Sequence, residues 1–226
     1  MGATYNHCKA FASASFRARS QDAAQTFERG GVLVVAVADG GGGMRGGEAA
    51  SRSLMAIVEG AVGDRDFVLE HAQSWVDLFR TTDTALAANG AHETTGLVVV
   101  LGARGLVGIS TGDSEAWVVT STAVDNLTVG QHTRHRLGSS RATVTTFQRS
   151  ILSGVLVIAT DGLFKYAAPE VIARIVRDNA ILLAARGLVE LVRLRSGKHA
   201  DDVAVVLVQQ SEAPDSTAAG RSTTPA

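Results

Sequence analysis

The chain has 226 residues, 46% of them hydrophobic, and a formal net charge of −1; that length suits one domain with a sizeable core. The near-zero charge excludes the basic footprint of a nucleic-acid binder, and the lack of any apolar run near ~20 residues excludes a membrane-spanning helix. Cys8 is the single cysteine, so no internal disulfide can form, and with no apolar leader in residues 1–20 a reducing, cytoplasmic setting is expected.

The first element is Ala12 to Ala18, where Ala12, Ala14, Phe16 and Ala18 alternate with Ser13, Ser15 and Arg17. That pattern predicts a half-buried strand with Arg17 turned away from the core. Val32 to Ala38 is a second strand, followed by a glycine-rich loop to Gly47. Glu48 to Ala61 reads as an amphipathic helix through Ala50, Leu54, Ile57 and Ala61, with Glu48 placed favourably in its first turn. A second helix covers about 70–88, buries Trp75, Leu78, Phe79 and Leu86, and stops at Asn89-Gly90. From Gly96 the period changes. Leu97 to Leu101, Leu106 to Ser110 and Ala116 to Thr120 predict three short strands in a meander.

Residues 121–153 are polar and read as loop with short strands, a weak one near Val124 to Val129. Val155 to Ala159 is a strand, Pro169 opens a helix to about Arg177, Ile181 to Leu194 is another helix, and Val203 to Val208 is the last strand. The expected domain covers residues 1–210. Residues 211–226 are rich in Ser, Thr, Ala and Pro with no apolar period, and read as a disordered tail. Helical pairs alternating with antiparallel strands argue against a doubly wound parallel sheet. The expected class is α+β, two stacked antiparallel sheets with helices on the outside, a four-layer α-β-β-α sandwich.

Carboxylates punctuate these strands. Val32 to Val37 leads into Asp39-Gly40, Leu106 to Ile109 into Asp113-Ser114, and Val155 to Ala159 into Asp161-Gly162, while Asp201-Asp202 opens the last strand. Acids at buried strand ends are costly unless something positive gathers them. Strands ending in Asp, set antiparallel to one beginning with Asp, bring those acids to one edge. With no matching cluster of Lys or Arg in the sequence, a hard cation bound through oxygen is the expected partner.

Blander readings compete. One Asp-Gly pair is most often a hairpin corner, but four acid-bearing strand ends exceed that reading. Gly41-x-Gly43-x-x-Gly46 formally matches a dinucleotide fingerprint, yet no second parallel strand ending in an acid follows the first helix, and Asp39 would repel a pyrophosphate. His132-x-x-His135 lacks partners at zinc-binding spacing. His199 reads as a solvated loop residue, and Trp75 and Trp117 read as packing.

Six segments stand in the order of a known motif set: Arg17-Ala18-Arg19-Ser20-Gln21-Asp22; Ala38-Asp39-Gly40 with the glycines up to Gly47 and Glu48-Ala49-Ala50-Ser51; Thr94-Thr95; Gly112-Asp113-Ser114; Ala159-Thr160-Asp161-Gly162-Leu163; and Asp201-Asp202-Val203-Ala204-Val205. Over residues 11–208 the chain resembles the type 2C metal-dependent serine/threonine protein phosphatases, in their bacterial form. The resemblance implies hydrolysis of phosphoserine and phosphothreonine by a bridging water or hydroxide on two Mn²⁺ or Mg²⁺ ions. It implies that Asp39 bridges the ions, with the Gly40 carbonyl on one and Asp161 and Asp201 on the other. Asp22 would hold metal-bound waters, and Asp113 with Asp161 would form a weaker third metal position. Arg17 would grip the substrate phosphate through its planar guanidinium, so Arg17, Asp39 and Asp161 are the expected catalytic residues. A monomer acting on phosphoproteins made by a partner Ser/Thr kinase is expected, in cytoplasmic signalling, with no nucleic-acid or membrane partner.

The chain departs from the family pattern in places. Gln21 replaces a Glu, Gly41 and Met44 stand where members carry histidine, and Glu115 replaces an Arg after Gly-Asp-Ser. Only 47 residues separate Asp113 from Asp161, which implies a reduced form of the family's flap segment. Gln21 and the missing histidine open an alternative, a pseudophosphatase that binds phosphoproteins without turnover.

Overall fold

Uninterrupted Val, Leu and Ala runs become strands covered on both faces, the arrangement that such composition favours. In a computed structural model, which describes residues 5–16, 19–41, 46–90, 92–131, 134–150 and 152–212, ten strands form two five-stranded antiparallel sheets. The strands are β1 (Tyr5–Ala14), β2 (Asp22–Arg29), β3 (Val32–Asp39), β4 (Gly96–Gly102), β5 (Gly105–Thr111), β6 (Glu115–Val119), β7 (Val124–Asn126), β8 (Thr145–Arg149), β9 (Val155–Ala159) and β10 (Val203–Glu212). The first sheet has the order β1-β10-β9-β6-β7 and the second β2-β3-β4-β5-β8. The helices are α1 (Gly46–Gly63), α2 (Ala72–Ala88), the short α3 (Asp161–Phe164), α4 (Pro169–Asp178) and α5 (Ile181–Leu191).

The alternation along β3 shows how the layers stack. Leu33, Val35 and Val37 point between the sheets, where they join Leu97, Val99, Leu156, Ile158, Val206 and Val208. Val34, Ala36 and Ala38 point the other way and pack with Leu54 and Val58 of α1 and Trp75 and Phe79 of α2. On the far side, Trp117, Val157, Val205 and Leu207 pack against Ile172, Ala184 and Leu188 of α4 and α5. The result is the expected four-layer α-β-β-α sandwich, with both tryptophans in packing roles.

Several local expectations need correction. The first strand ends at Ala14 rather than Ala18, and Phe16 is half exposed. The chain leaves the sheet there because the Phe16 amide and the Ser15 hydroxyl turn to the Asp202 carboxylate. Gly96 to Thr120 is not a meander in one sheet, since β5 lies in the second sheet and β6 in the first. Gly112 makes the switch, with φ of 95° and a Thr95 side chain where a Cβ would stand. β2 lies in a stretch with no expected strand, while β7 and β8 are short strands within the 121–153 stretch. β10 continues through Ser211 and Glu212, pairing with Asn6 and Tyr5, so the strand enters the segment read as tail; backbone pairing needs no apolar side chain. His199 is buried and its Nε2 lies 3.2 Å from the Val189 carbonyl, contrary to the solvated reading. Segment 127–144, within the stretch expected to hold a reduced flap, has no named strand or helix among the described residues.

Candidate metal centre

The ends of β3 and β9, the start of β10 and the sheet-switching turn after β5 meet at one end of the sandwich. β9 runs antiparallel to β10, so Asp161, just past the end of β9, lies beside the start of β10. β2 runs antiparallel to β3 with Asp22 directly opposite Asp39. Among the described residues, Asp39, Asp113 and Asp161 each offer a carboxylate oxygen within 4.8 Å of the others. One comes from the second sheet, one follows the first sheet, and one sits on the turn between them.

Hydroxyls stitch this seam. The Asp39 amide donates to the Thr95 hydroxyl at 2.8 Å, the Thr95 amide donates back to the Asp39 carbonyl at 2.8 Å, and the Thr95 and Ser114 hydroxyls pair at 2.8 Å. The Thr-Thr and Gly-Asp-Ser segments are thereby joined around the backbone that carries Asp39. On the other side the Thr160 hydroxyl donates to Asp22 Oδ2 at 2.6 Å and accepts from the Ala204 amide at 3.0 Å. Gly40 is buried, and a Cβ on it would stand 2.0 Å from the Gly47 carbonyl oxygen. Lacking a Cβ, Gly40 and Gly47 can lie backbone against backbone at the start of α1.

Concentrated acid shifts the titration of Asp22, Asp39 and Asp161. Burial, and then the Asp39 charge, push Asp22 up to about 9. Burial and the Asp161 charge push Asp39 up to about 6, against the pull of Arg136. Burial also raises Asp161, with Lys165 opposing and Asp113 and Asp201 adding to the rise. These are carboxylates short of positive charge.

Two organic cations supply part of it, contrary to the sequence reading that no Lys or Arg matches the acids. Arg136 Nη2 donates to Asp113 Oδ1 and Oδ2 at 3.1 and 3.0 Å, and Nη1 lies 3.5 Å from Asp39 Oδ2. Lys165, one turn after Asp161, pairs with its carboxylate. Neither carried a signal readable on its own, though Lys165 follows Asp161 at the spacing of a helical ion pair. A shallow cleft lined by Asp113, Glu115, Asp161, Phe164 and Lys165 opens beside the cluster. A larger cleft at the opposite end of the second sheet, among Glu70, Arg104, Gln148 and Arg149, has no such gathering of acids.

The remaining expected site residues divide. Asp201 stands outside the group of three, near enough for its charge to raise Asp161, and its Oδ1 accepts the Asp202 amide at 3.0 Å. Asp202 has both oxygens engaged elsewhere, Oδ1 with the Phe16 amide and Oδ2 with the Gln21 amide, each at 2.7 Å. Asp202 therefore ties Ser15 and Phe16 to Gln21. Arg17 lies outside the described residues. The donor set suits a hard divalent ion, being all carboxylate oxygen.

No protein-family model and no curated protein matches the sequence. Among solved structures, the chain is similar to the serine/threonine phosphatase Stp1 from Staphylococcus aureus, with 19% identity, a TM-score of 0.80, and coverage of 92% of this chain and 96% of that one. It is similar also to the catalytic domain of the serine/threonine protein phosphatase PstP, solved with two manganese ions, at 20% identity, a TM-score of 0.71, and coverage of 92% and 100%. A serine/threonine phosphatase of S. agalactiae matches at 20% identity and a TM-score of 0.72, over 90% of this chain and 99% of that one. The chain thus has the fold of these bacterial phosphatases along nearly its whole described length.

Proposed function

We propose that this chain is a metal-dependent phosphoprotein phosphatase that hydrolyses phosphoserine and phosphothreonine. The observation that carries the reading is the convergence of Asp39, Asp113 and Asp161, from distant points in the chain, on the seam of a sandwich shared with bacterial Ser/Thr phosphatases. Asp39, Asp161, Asp201 and the Gly40 carbonyl would hold two Mn²⁺ or Mg²⁺ ions. The chemistry such ions supply is activation of water as nucleophile and neutralisation of phosphoryl charge. Asp22, raised by burial and by the Asp39 charge, would give up its proton to binding of such ions. Thr95 and Thr160 fix the backbone of Asp39 and the carboxylate of Asp22, so the acids stay gathered. Arg17 would grip the substrate phosphate. The protein would act as a monomer in the cytoplasm, on substrates of a partner Ser/Thr kinase.

A binding-only reading has one observation in its favour: Arg136 and Lys165 already engage carboxylates that ions would need. Phosphate release from phosphothreonine peptides across a panel of divalent metals separates the two. Mn²⁺-dependent release that chelation abolishes, and that Asp39→Asn or Asp161→Asn lowers by about 100-fold or more, is expected. Tight phosphopeptide binding with no metal-dependent turnover would establish the binding module instead.

A further inference from the structure

The Arg136 guanidinium lies inside the acid group rather than beside it. Nη2 forks across both oxygens of Asp113, while Nη1 faces Asp39. The segment behind it is anchored at every step. The His135 carbonyl accepts from the Thr111 hydroxyl at 3.2 Å. Leu137 is fully buried and exchanges backbone hydrogen bonds with Thr94 in both directions, at 2.9 and 3.0 Å. The Asp83 carboxylate on α2 then accepts the amides of Gly138, Ser140 and Ala142 at 2.7 to 3.0 Å. Gly41 leaves the space open, since a Cβ there would stand 3.0 Å from Arg136 Nη1. A planar fork presented from so fixed a base behaves as a built-in counter-ion.

Resting on the metal reading above, we infer that Arg136 is a tethered cation that holds the Asp113 corner, so that divalent ions bind on the Asp39 and Asp161 side and none on Asp113. Asp113 is within reach of a shared ion, because its carboxylate lies in the group whose oxygens are mutually within 4.8 Å. Its two oxygens are nevertheless spent on one guanidinium. The chain then covers part of the cluster's negative charge with its own side chain, and its capacity for metal is lower by one ion than the acid count suggests.

Equilibrium dialysis at saturating Mn²⁺, with metal counted by atomic emission, reads this capacity without turnover. The wild type is expected to hold two ions per chain, Arg136→Gln three, and the double variant Arg136→Gln with Asp113→Asn two again. Equal counts in the wild type and Arg136→Gln overturn the inference, as does a third ion on the wild type. A wild type that holds no Mn²⁺ overturns the metal reading itself. If Arg136→Gln does not fold, the wild type still decides by NMR. With Mg²⁺ bound, the Arg136 Nη resonances stay split by restricted rotation if the fork on Asp113 persists, and their merging overturns the inference.

Discussion

Asp22 and Asp39 face each other across an antiparallel pair, and with no metal bound they share too little positive charge to be ionised together. Their folded pKa values, about 9 and about 6, stand above the ordinary 3.8. Between 3.8 and about 9 this pair binds more protons in the folded chain than in the unfolded one, so its contribution to the stability of the metal-free protein falls as pH rises through that window. Asp22→Asn keeps an oxygen for the Thr160 hydroxyl and an amide for Asp39. It should therefore flatten the decline of melting temperature with pH in chelator and add at least about 1 kcal/mol at pH ~8, the worth of one pKa unit. Parallel curves for the variant and the wild type would remove this account. Because bound metal must displace those protons, wild-type Mn²⁺ affinity should rise with pH, measurable by calorimetry in buffers of different ionisation enthalpy. The neighbouring pair Asp201 and Asp202 separates function from folding at the same scale. Asp202→Ala strands the amides of Phe16 and Gln21 and should cost about 3 kcal/mol of stability, whereas Asp201→Asn should weaken Mn²⁺ binding and leave stability within about 1 kcal/mol. Denaturant titrations and metal titrations of both variants test the division, and equal stability losses would sink it.

What could be read from sequence follows how much of each element is buried. β3, β4, β9 and the first part of β10 are covered on both faces and appear as unbroken apolar runs, so their existence was legible, as were the acids that end β3, follow β9 and precede β10. β2 and β8 mix polar residues into half-buried faces, as in Thr-Thr-Phe-Gln-Arg, and neither run nor alternation marks them. The sheet switch at Gly112-Asp113-Ser114 has the length of a hairpin turn, and only the register of β5 and β6 with different partners tells them apart. Arg136 was illegible for a related reason. Its position depends on Asp83 of α2, whose carboxylate organises segment 138–142 from far away in sequence. Asp83→Ala frees three amides at once and should raise hydrogen exchange at Gly138, Ser140 and Ala142 by about tenfold or more, the factor for roughly 1.4 kcal/mol of local stability. Unchanged exchange at those amides would show that Leu137 and its pairing with Thr94 hold the segment without help.

At the scale of the molecule, the acids that would bind metal belong to both sheets, and one apolar layer is shared between them. Asp39 ends β3 of the second sheet, and Asp161 follows β9 of the first. Leu156, Ile158, Val206 and Val208 of the first sheet pack with Leu33, Val35, Leu97 and Val99 of the second. Neither sheet can separate without opening that layer and dispersing the carboxylates, so the domain should unfold as one unit. The two tryptophans report the halves independently, Trp75 in the layer between α2 and the second sheet and Trp117 in the layer between the first sheet and α4 and α5. In Trp75→Phe and Trp117→Phe, the remaining fluorescence transition is expected to coincide with that of the far-ultraviolet circular dichroism of the same variant. Leu156→Ala, which opens a cavity between the sheets, should cost about 2–5 kcal/mol and lower both transitions together. Mn²⁺ at about 100 times its dissociation constant should raise both by the same free energy, about 2.7 kcal/mol. A metal-induced shift seen by one tryptophan and missed by the other would mean that ions are held by a single sheet, and the seam could no longer be the site.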